Sequence, residues 1–150
     1  MILKRQEKDN KVKAIYDSSN ILASIYDKNT SDLTLIFSKG RQYKYEKVKS
    51  SDYSKFELSE SQGKVFNTVI KGYTMEKLDD INPDLIVKEI EELKLVEAKI
   101  AADASKKVLH ESISNLATYF QNGGDNRGII DTKLDTIKKN ADIYLKQLNK

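Results

Sequence analysis

Hydrophobic positions recur with two different periods along this chain, and the change comes near residue 50. From Asn20 to Asp27, Ile21, Ala23 and Ile25 alternate with Leu22, Ser24 and Tyr26, the period of a strand whose side chains face alternate ways. The next run places Leu33, Leu35 and Phe37 on one face. A third puts Tyr43 and Tyr45 together, with Lys44 and Glu46 opposite. The connectors, Asp27 to Asp32 and Ser38-Lys39-Gly40, are short and made of turn formers. The pattern predicts a three-stranded antiparallel meander, with residues 11–18 as a marginal fourth strand.

Past Ser50-Ser51-Asp52, a capping sequence, the period becomes helical. Tyr53 and Phe56, then Val65, Phe66, Val69 and Ile70, predict two short helices that cover one face of the sheet. Asn82-Pro83-Asp84 opens a longer helix: an N-cap, a proline at the first helical position and an acid at the positive end of the dipole. No glycine or further proline follows until Gly123. A helix over residues 83–121 would extend ~58 Å at ~1.5 Å per residue. Its apolar stripe runs Ile86, Ile90, Leu93, Val96, Ile100, Ala104, then Leu109, Ile113, Leu116 and Phe120. The register slips near Ser105-Lys106-Lys107, which predicts a kink or a stutter. Residues 122–128 form a loop, and Ile130, Leu134, Ile137, Ala141, Tyr144 and Leu148 then trace a narrow helical seam over 129–149.

The predicted fold is therefore α+β: a small antiparallel β-meander covered by two short helices, followed by a long-helix, coiled-coil-like hairpin. The division is a basic N-terminal arm (1–14), an α+β domain (15–78) and a helical region (79–150). The last helix is about half as long as the one before it, so the stripe from Ile86 to Ile100 needs another cover. A second chain is favoured over the α+β domain for that role.

Ser18 to about Leu78 resembles the KTSC domain. The matching residues are Ser18-Ser19-Asn20-Ile21 leading to Ile25-Tyr26-Asp27, then Leu33, Leu35, Phe37, Gly40 and Tyr43-Lys44-Tyr45. Val48, Tyr53, Phe56, Ser61-Gln62-Gly63-Lys64, Phe66-Asn67 and Ile70-Lys71 follow. Two loops depart from the family pattern: Lys49 stands where a proline is usual, and Leu58-Ser59-Glu60 replace an alanine-proline. The family takes its name from lysyl-tRNA synthetase C-termini and also includes stand-alone bacterial and phage proteins. The resemblance implies no established chemistry, and only a contextual suggestion of RNA binding.

Composition narrows the classes further. The chain has no cysteine and a single histidine, His110, so disulfides, thiolate catalysis and histidine-rich metal sites are not expected. Net charge is only +3, but residues 1–75 hold 14 basic against 9 acidic side chains while residues 76–150 hold 12 against 14. An anionic partner would meet the first half. No stretch approaches the ~20 apolar residues of a membrane span, and the charged N-terminus lacks the apolar core of a signal peptide. The expected location is cytoplasmic, or a virion if phage-encoded.

Tyr43 and Tyr45, with Lys39, Arg41, Lys44, Lys47 and Lys64, are the candidate nucleic-acid-binding set, since aromatics stack bases and cations hold phosphates. The competing explanation is that this strand face is simply core. Ser61-Gln62-Gly63-Lys64 lacks the spacing of a phosphate loop and is read as a turn with an obligatory glycine. Gly123 to Gly128 is read as a flexible hairpin turn, and Lys4, Arg5, Lys8, Lys11 and Lys13 as a basic or solubilising arm. Nothing assembles an acid, a base and a nucleophile, so no enzyme, cofactor or metal is expected. The favoured function is a structural or interaction protein, phage-encoded in one setting, which assembles through Ile86, Ile90, Leu93, Ile130, Leu134, Ile137, Tyr144 and Leu148. The alternative is a small single-stranded RNA- or DNA-binding protein.

Overall fold

Asp9 and Asn10 both adopt left-handed backbone angles, φ 52° and 59°. This pair makes a two-residue turn whose twist suits a hairpin, and it joins β1 (Ile2–Lys8) to β2 (Lys11–Tyr16). The expected N-terminal arm is thus an edge strand. Its charge density hid it, but its backbone pairs Arg5 with Ala14 and Glu7 with Val12. The computed structural model describes residues 1–149 and divides the chain into two units, Met1–Lys94 and Leu95–Lys150.

The first unit is a six-stranded antiparallel sheet in simple meander order, β1 to β6. The three expected strands are β3 (Ile21–Asp27), β4 (Asp32–Phe37) and β5 (Gln42–Tyr45). Beyond them, β2 takes up the marginal segment, and β6 (Met75–Leu78) adds an outer strand that the sequence pattern did not show. Pairing sets the faces. Val12 opposes Tyr26, Ala14 opposes Ser24, Tyr26 opposes Leu33 and Leu33 opposes Tyr45, so these residues share one side of the sheet.

Two helical segments cover that side: α1 (Ser50–Glu57), and α2 (Gln62–Val65) continued by a π-helical turn, Phe66–Ile70. Tyr53 stacks on Tyr26 with ring centroids 4.3 Å apart, and Phe56 meets Tyr16 edge-on at 5.6 Å. Tyr16, Leu33, Leu35, Val48, Phe56 and Ile70 are fully buried, and burying side chains of this size is worth about 1.5–3 kcal/mol each. Gly40 fixes the sheet's far corner. Its φ is +78°, its carbonyl accepts from the Ile81 amide at 2.9 Å, and a Cβ there would lie 2.0 Å from the Ile81 oxygen.

The opposite side of the sheet takes the first turns of α3 (Asp84–Gln121), where Asn82 Oδ1 accepts from the Asp84 amide. Ile86 lines a cavity of about 250 Å³ with Ile15, Ala23, Ile25 and Ile36, and Ile90 is buried. Lys4 bridges to Glu89 at 2.6 Å and Lys94 to Asp17 at 2.5 Å. Ile86 and Ile90 therefore belong to the first unit's own packing rather than to an assembly surface, and Leu93 beside them is half-buried.

The second unit holds the rest of α3 and α4 (Arg127–Leu148). Ser112 Oγ accepts from Asn140 Nδ2 at 2.7 Å, and the Lys133 ammonium sits over the Tyr119 ring. Seven residues on in α3 match seven back in α4, as in an antiparallel heptad seam. The half-buried positions of α3 run Ala102, Ser105, Leu109, Ser112, Leu116 and Tyr119 without a slip. The apparent stutter arose because serines occupy seam positions where apolar residues were sought.

Candidate functional site

Three places in the fold concentrate chemistry. The first lies at β5. Tyr43 and Tyr45 do share a face, but Tyr45 is only 4% exposed and packs edge-on against Phe66. Tyr43 is half-buried and meets the Phe37 ring edge-on at 5.6 Å. Around Tyr43 opens a groove of about 400 Å³, lined also by Asn20, Phe37, Arg41, Phe66 and Lys71. Of the basic residues expected here, the structure brings in Arg41 alone. Lys44 points to the other sheet face, where the Glu76 carboxylate at 2.9 Å holds its ammonium above the ordinary value. Lys39, Lys47 and Lys64 are exposed and do not line the groove. Lys71, Phe37 and Phe66 replace them. The helical spacing of Val65, Phe66, Val69 and Ile70 carried a signal for Phe66, but only the covering of the sheet sets it beside Tyr43.

The second place is a buried polar cluster under α1. Glu57 accepts from the Tyr53 hydroxyl at 2.9 Å and from Arg5 Nε at 3.0 Å. Next to it the Tyr16 and Ser24 hydroxyls share a hydrogen bond of 2.7 Å. Burial pushes the Tyr16 and Tyr53 phenols well above their ordinary range, because an ionised phenolate would be stranded away from water. A buried carboxylate, two tyrosines and a serine resemble a catalytic set in composition. Their bonds close on one another instead, with Arg5 from the edge strand as counter-charge. This cluster holds β1 and α1 together.

The Ser61–Lys64 turn carries no comparable site. Gly63 lies inside the four-residue α2, its added Cβ would meet nothing within 4 Å, and its φ is not left-handed. The expectation of an obligatory glycine there does not hold.

The third place is the helical hairpin. Ile130, Ile137 and Tyr144 sit half-buried along the seam as expected. Ala141 is half-buried with them, but Leu134 and Leu148 are 49% and 55% exposed, and Lys133, Asn140 and Gln147 are the other half-buried positions of the helix. On α3, Ile113 and Phe120 are likewise exposed, while Ser112 and Tyr119 take the seam. The loop between the helices is pinned rather than flexible. The Tyr119 hydroxyl accepts from the Asn126 amide, Asn126 Oδ1 caps α4, and a Cβ on Gly124 would strike the Tyr119 ring at 2.4 Å. His110 lies on this helix surface in a shallow depression with Lys107 and Glu111.

Among the described residues, no helix is long and apolar enough to cross a membrane. No group of three or more histidine, aspartate or glutamate side chains is placed to hold a metal ion among them. Residues 17–73 match the KTSC domain model. The chain is also similar to the crystal structure of a KTSC domain protein from Yersinia pestis, at 28% identity and a TM-score of 0.42, over 51% of this chain and 97% of that one. No curated protein matches the chain.

Proposed function

We propose that this chain, which carries a KTSC domain at residues 17–73, is a non-enzymatic interaction protein whose helical hairpin seats another polypeptide. One observation carries the reading: α4 buries none of its described side chains, although Ile129, Leu134, Ile143, Leu145 and Leu148 stand along it. Leu134, Leu145 and Leu148 line one side of the helix and Ile129 and Ile143 the other, and exposed apolar side chains grouped in this way mark interaction surfaces. The first unit closes its own core, so the helices are the part with unsatisfied apolar area. The closed hydrogen bonding of Glu57, Tyr53 and Arg5 supports a structural rather than catalytic role for that cluster.

A photo-crosslinking residue, benzoylphenylalanine, placed at Phe120 tests this in the cells that make the protein. A polypeptide adduct is expected there and not at Asp142, which is exposed on α4. Equal yields at the two positions would sink the reading.

A second reading has its own support in the Tyr43 groove. Its aromatic lining beside Arg41 and Lys71 suits an unpaired nucleotide, the ring set against Tyr43 and the phosphate against the cations. On this reading Tyr43→Ala weakens binding of a labelled single-stranded RNA by ~1–3 kcal/mol, and affinity falls with salt. Fluorescence anisotropy that stays flat at two salt concentrations would remove it.

A further inference from the structure

Where β1, the turn after β3 and α1 meet, the first unit has a cavity of about 430 Å³, lined by Arg5, Lys28, Ser31, Ser50, Ser54 and Glu57. Ser50, Ser54 and Glu57 follow one another by four and three residues and so form a single polar stripe of α1. Glu57 defines the site. It is 6% exposed, and its two protein donors, the Tyr53 hydroxyl at 2.9 Å and Arg5 Nε at 3.0 Å, both reach Oε1. Those bonds hold β1 to α1 and leave Oε2 without a donor. Every fully buried side-chain nitrogen or oxygen among the described residues has a partner, so Oε2 opens on the cavity that Glu57 lines. Ser54 differs from Ser105 and Ser112, whose hydroxyls donate to the carbonyl one turn back. Its hydroxyl, like those of Ser31 and Ser50, bonds to no protein group among the described residues and lines the same cavity.

We propose that this cavity binds a neutral, polyhydroxylated ligand of monosaccharide size. It lies wholly within the first unit and shares no lining residue with the groove at Tyr43. Charge selects the ligand class. Arg5 lies 3.0 Å from Glu57 and 3.3 Å from Glu7, and Lys28 also bridges to Glu7. Two cations and two carboxylates cancel, so a charged ligand would have to part an ion pair already made. A neutral one uses what those pairs leave over. Glu57 Oε2 accepts from a sugar hydroxyl, the three serine hydroxyls donate or accept, and the remaining N–H groups of Arg5 and Lys28 donate. Neighbouring hydroxyls of a sugar ring can each give one bond and take another, which matches a carboxylate oxygen set beside cationic donors. Tyr26 and Tyr53 complete the lining as a buried, stacked pair, so the site is preformed. Small-molecule clefts run ~300–1,000 Å³, and this one falls at their small end.

Amide NMR spectra of the full chain, titrated with D-glucose, D-galactose and D-mannose, test this. Glycine and inorganic phosphate serve as the zwitterionic and anionic probes. Saturable shifts are expected at the amides of Lys28, Ser31, Ser50 and Ser54 with at least one hexose, and none with phosphate or glycine. Glu57→Gln keeps an acceptor for Tyr53 and Arg5 but puts a donor in place of Oε2. It should weaken hexose binding by about ten- to a hundredfold, the scale of one hydrogen bond to a charged group. Ser54→Leu covers the case in which that variant loosens β1. Ser54 is exposed on α1, so leucine there should fill the cavity and abolish the shifts while leaving the melting temperature in place. The proposal is overturned by the absence of saturable shifts with all three hexoses, or by phosphate or glycine moving the same amides. Hexose binding that Ser54→Leu leaves undiminished, or that a folded Glu57→Gln leaves undiminished, would overturn it as well.

Discussion

The two units draw on the same palette of Ile, Leu, Val and Tyr, yet one buries a continuous core and the other fully buries none of its described side chains. The difference lies in how many neighbours each element has. In the meander every inner strand is flanked on both sides, and one sheet face is capped by Tyr53, Phe56 and Ile70. In the hairpin each helix has a single partner, which can shield only about one stripe of its circumference. Leu95, at 71% exposed, and Ile100, at 63%, lie on α3 with neither neighbour over them. Hydrophobic content alone does not make a core. Layers do.

That contrast can be broken first by truncation. Phe56→Ala removes a fully buried ring and should cost ~3–5 kcal/mol, whereas Leu116→Ala in the half-buried seam should cost less than half of that. Denaturant unfolding followed by circular dichroism would compare them, and equal costs would mean the hairpin has a core of its own. Next in size is Gly40→Ala. Holding a non-glycine residue at φ +78° costs about 1–2 kcal/mol by itself, and the 2.0 Å approach to the Ile81 oxygen adds to it. A lowered melting temperature should follow, and an unchanged one would mean that Ile81 is free to move away.

Alkaline pH should also tell the units apart. Tyr16 and Tyr53 have folded-state pKa values raised by burial, so the native first unit keeps protons that the unfolded chain releases above about pH 10. Their stabilising contribution is complete below that pH and is lost as pH rises further, by up to about 1.4 kcal/mol per tyrosine per pH unit. Melting curves of Tyr16→Phe should fall less steeply above pH 10 than those of the wild type. The smallest expected effect is Asn140→Ala, which removes the hydrogen bond to Ser112 and should cost about 0.5–1.5 kcal/mol. A loss confined to helical signal would place the effect in the second unit.

Period and capping made much of this legible beforehand. The strands through Ile21, Leu33 and Tyr43 and both long helices follow from residue spacing, and so do the turns at Gly40 and Asn82-Pro83. β1 escaped notice because Lys4, Arg5, Glu7 and Lys8 read as a solvated run, although Asp9-Asn10 was a hairpin signal. The basic platform around Tyr43 was mostly misplaced, since alternation sends Lys44 to the opposite face. The seam of α4 follows the apolar spacing at Ile130, Ile137, Ala141 and Tyr144 but not at Leu134 and Leu148. Spacing alone does not say whether a leucine faces the neighbouring helix or solvent.

The sequence by itself determined the local elements, because turn chemistry and hydrophobic period act over a few residues. Only the tertiary structure decided which face each element shows. Ile86 and Ile90 cover the sheet, Lys71 and Phe66 join Tyr43, and Glu57 meets Arg5 across 52 residues. The reason is physical: period says that a stripe is apolar, but which surface covers it depends on layers assembled from distant parts of the chain.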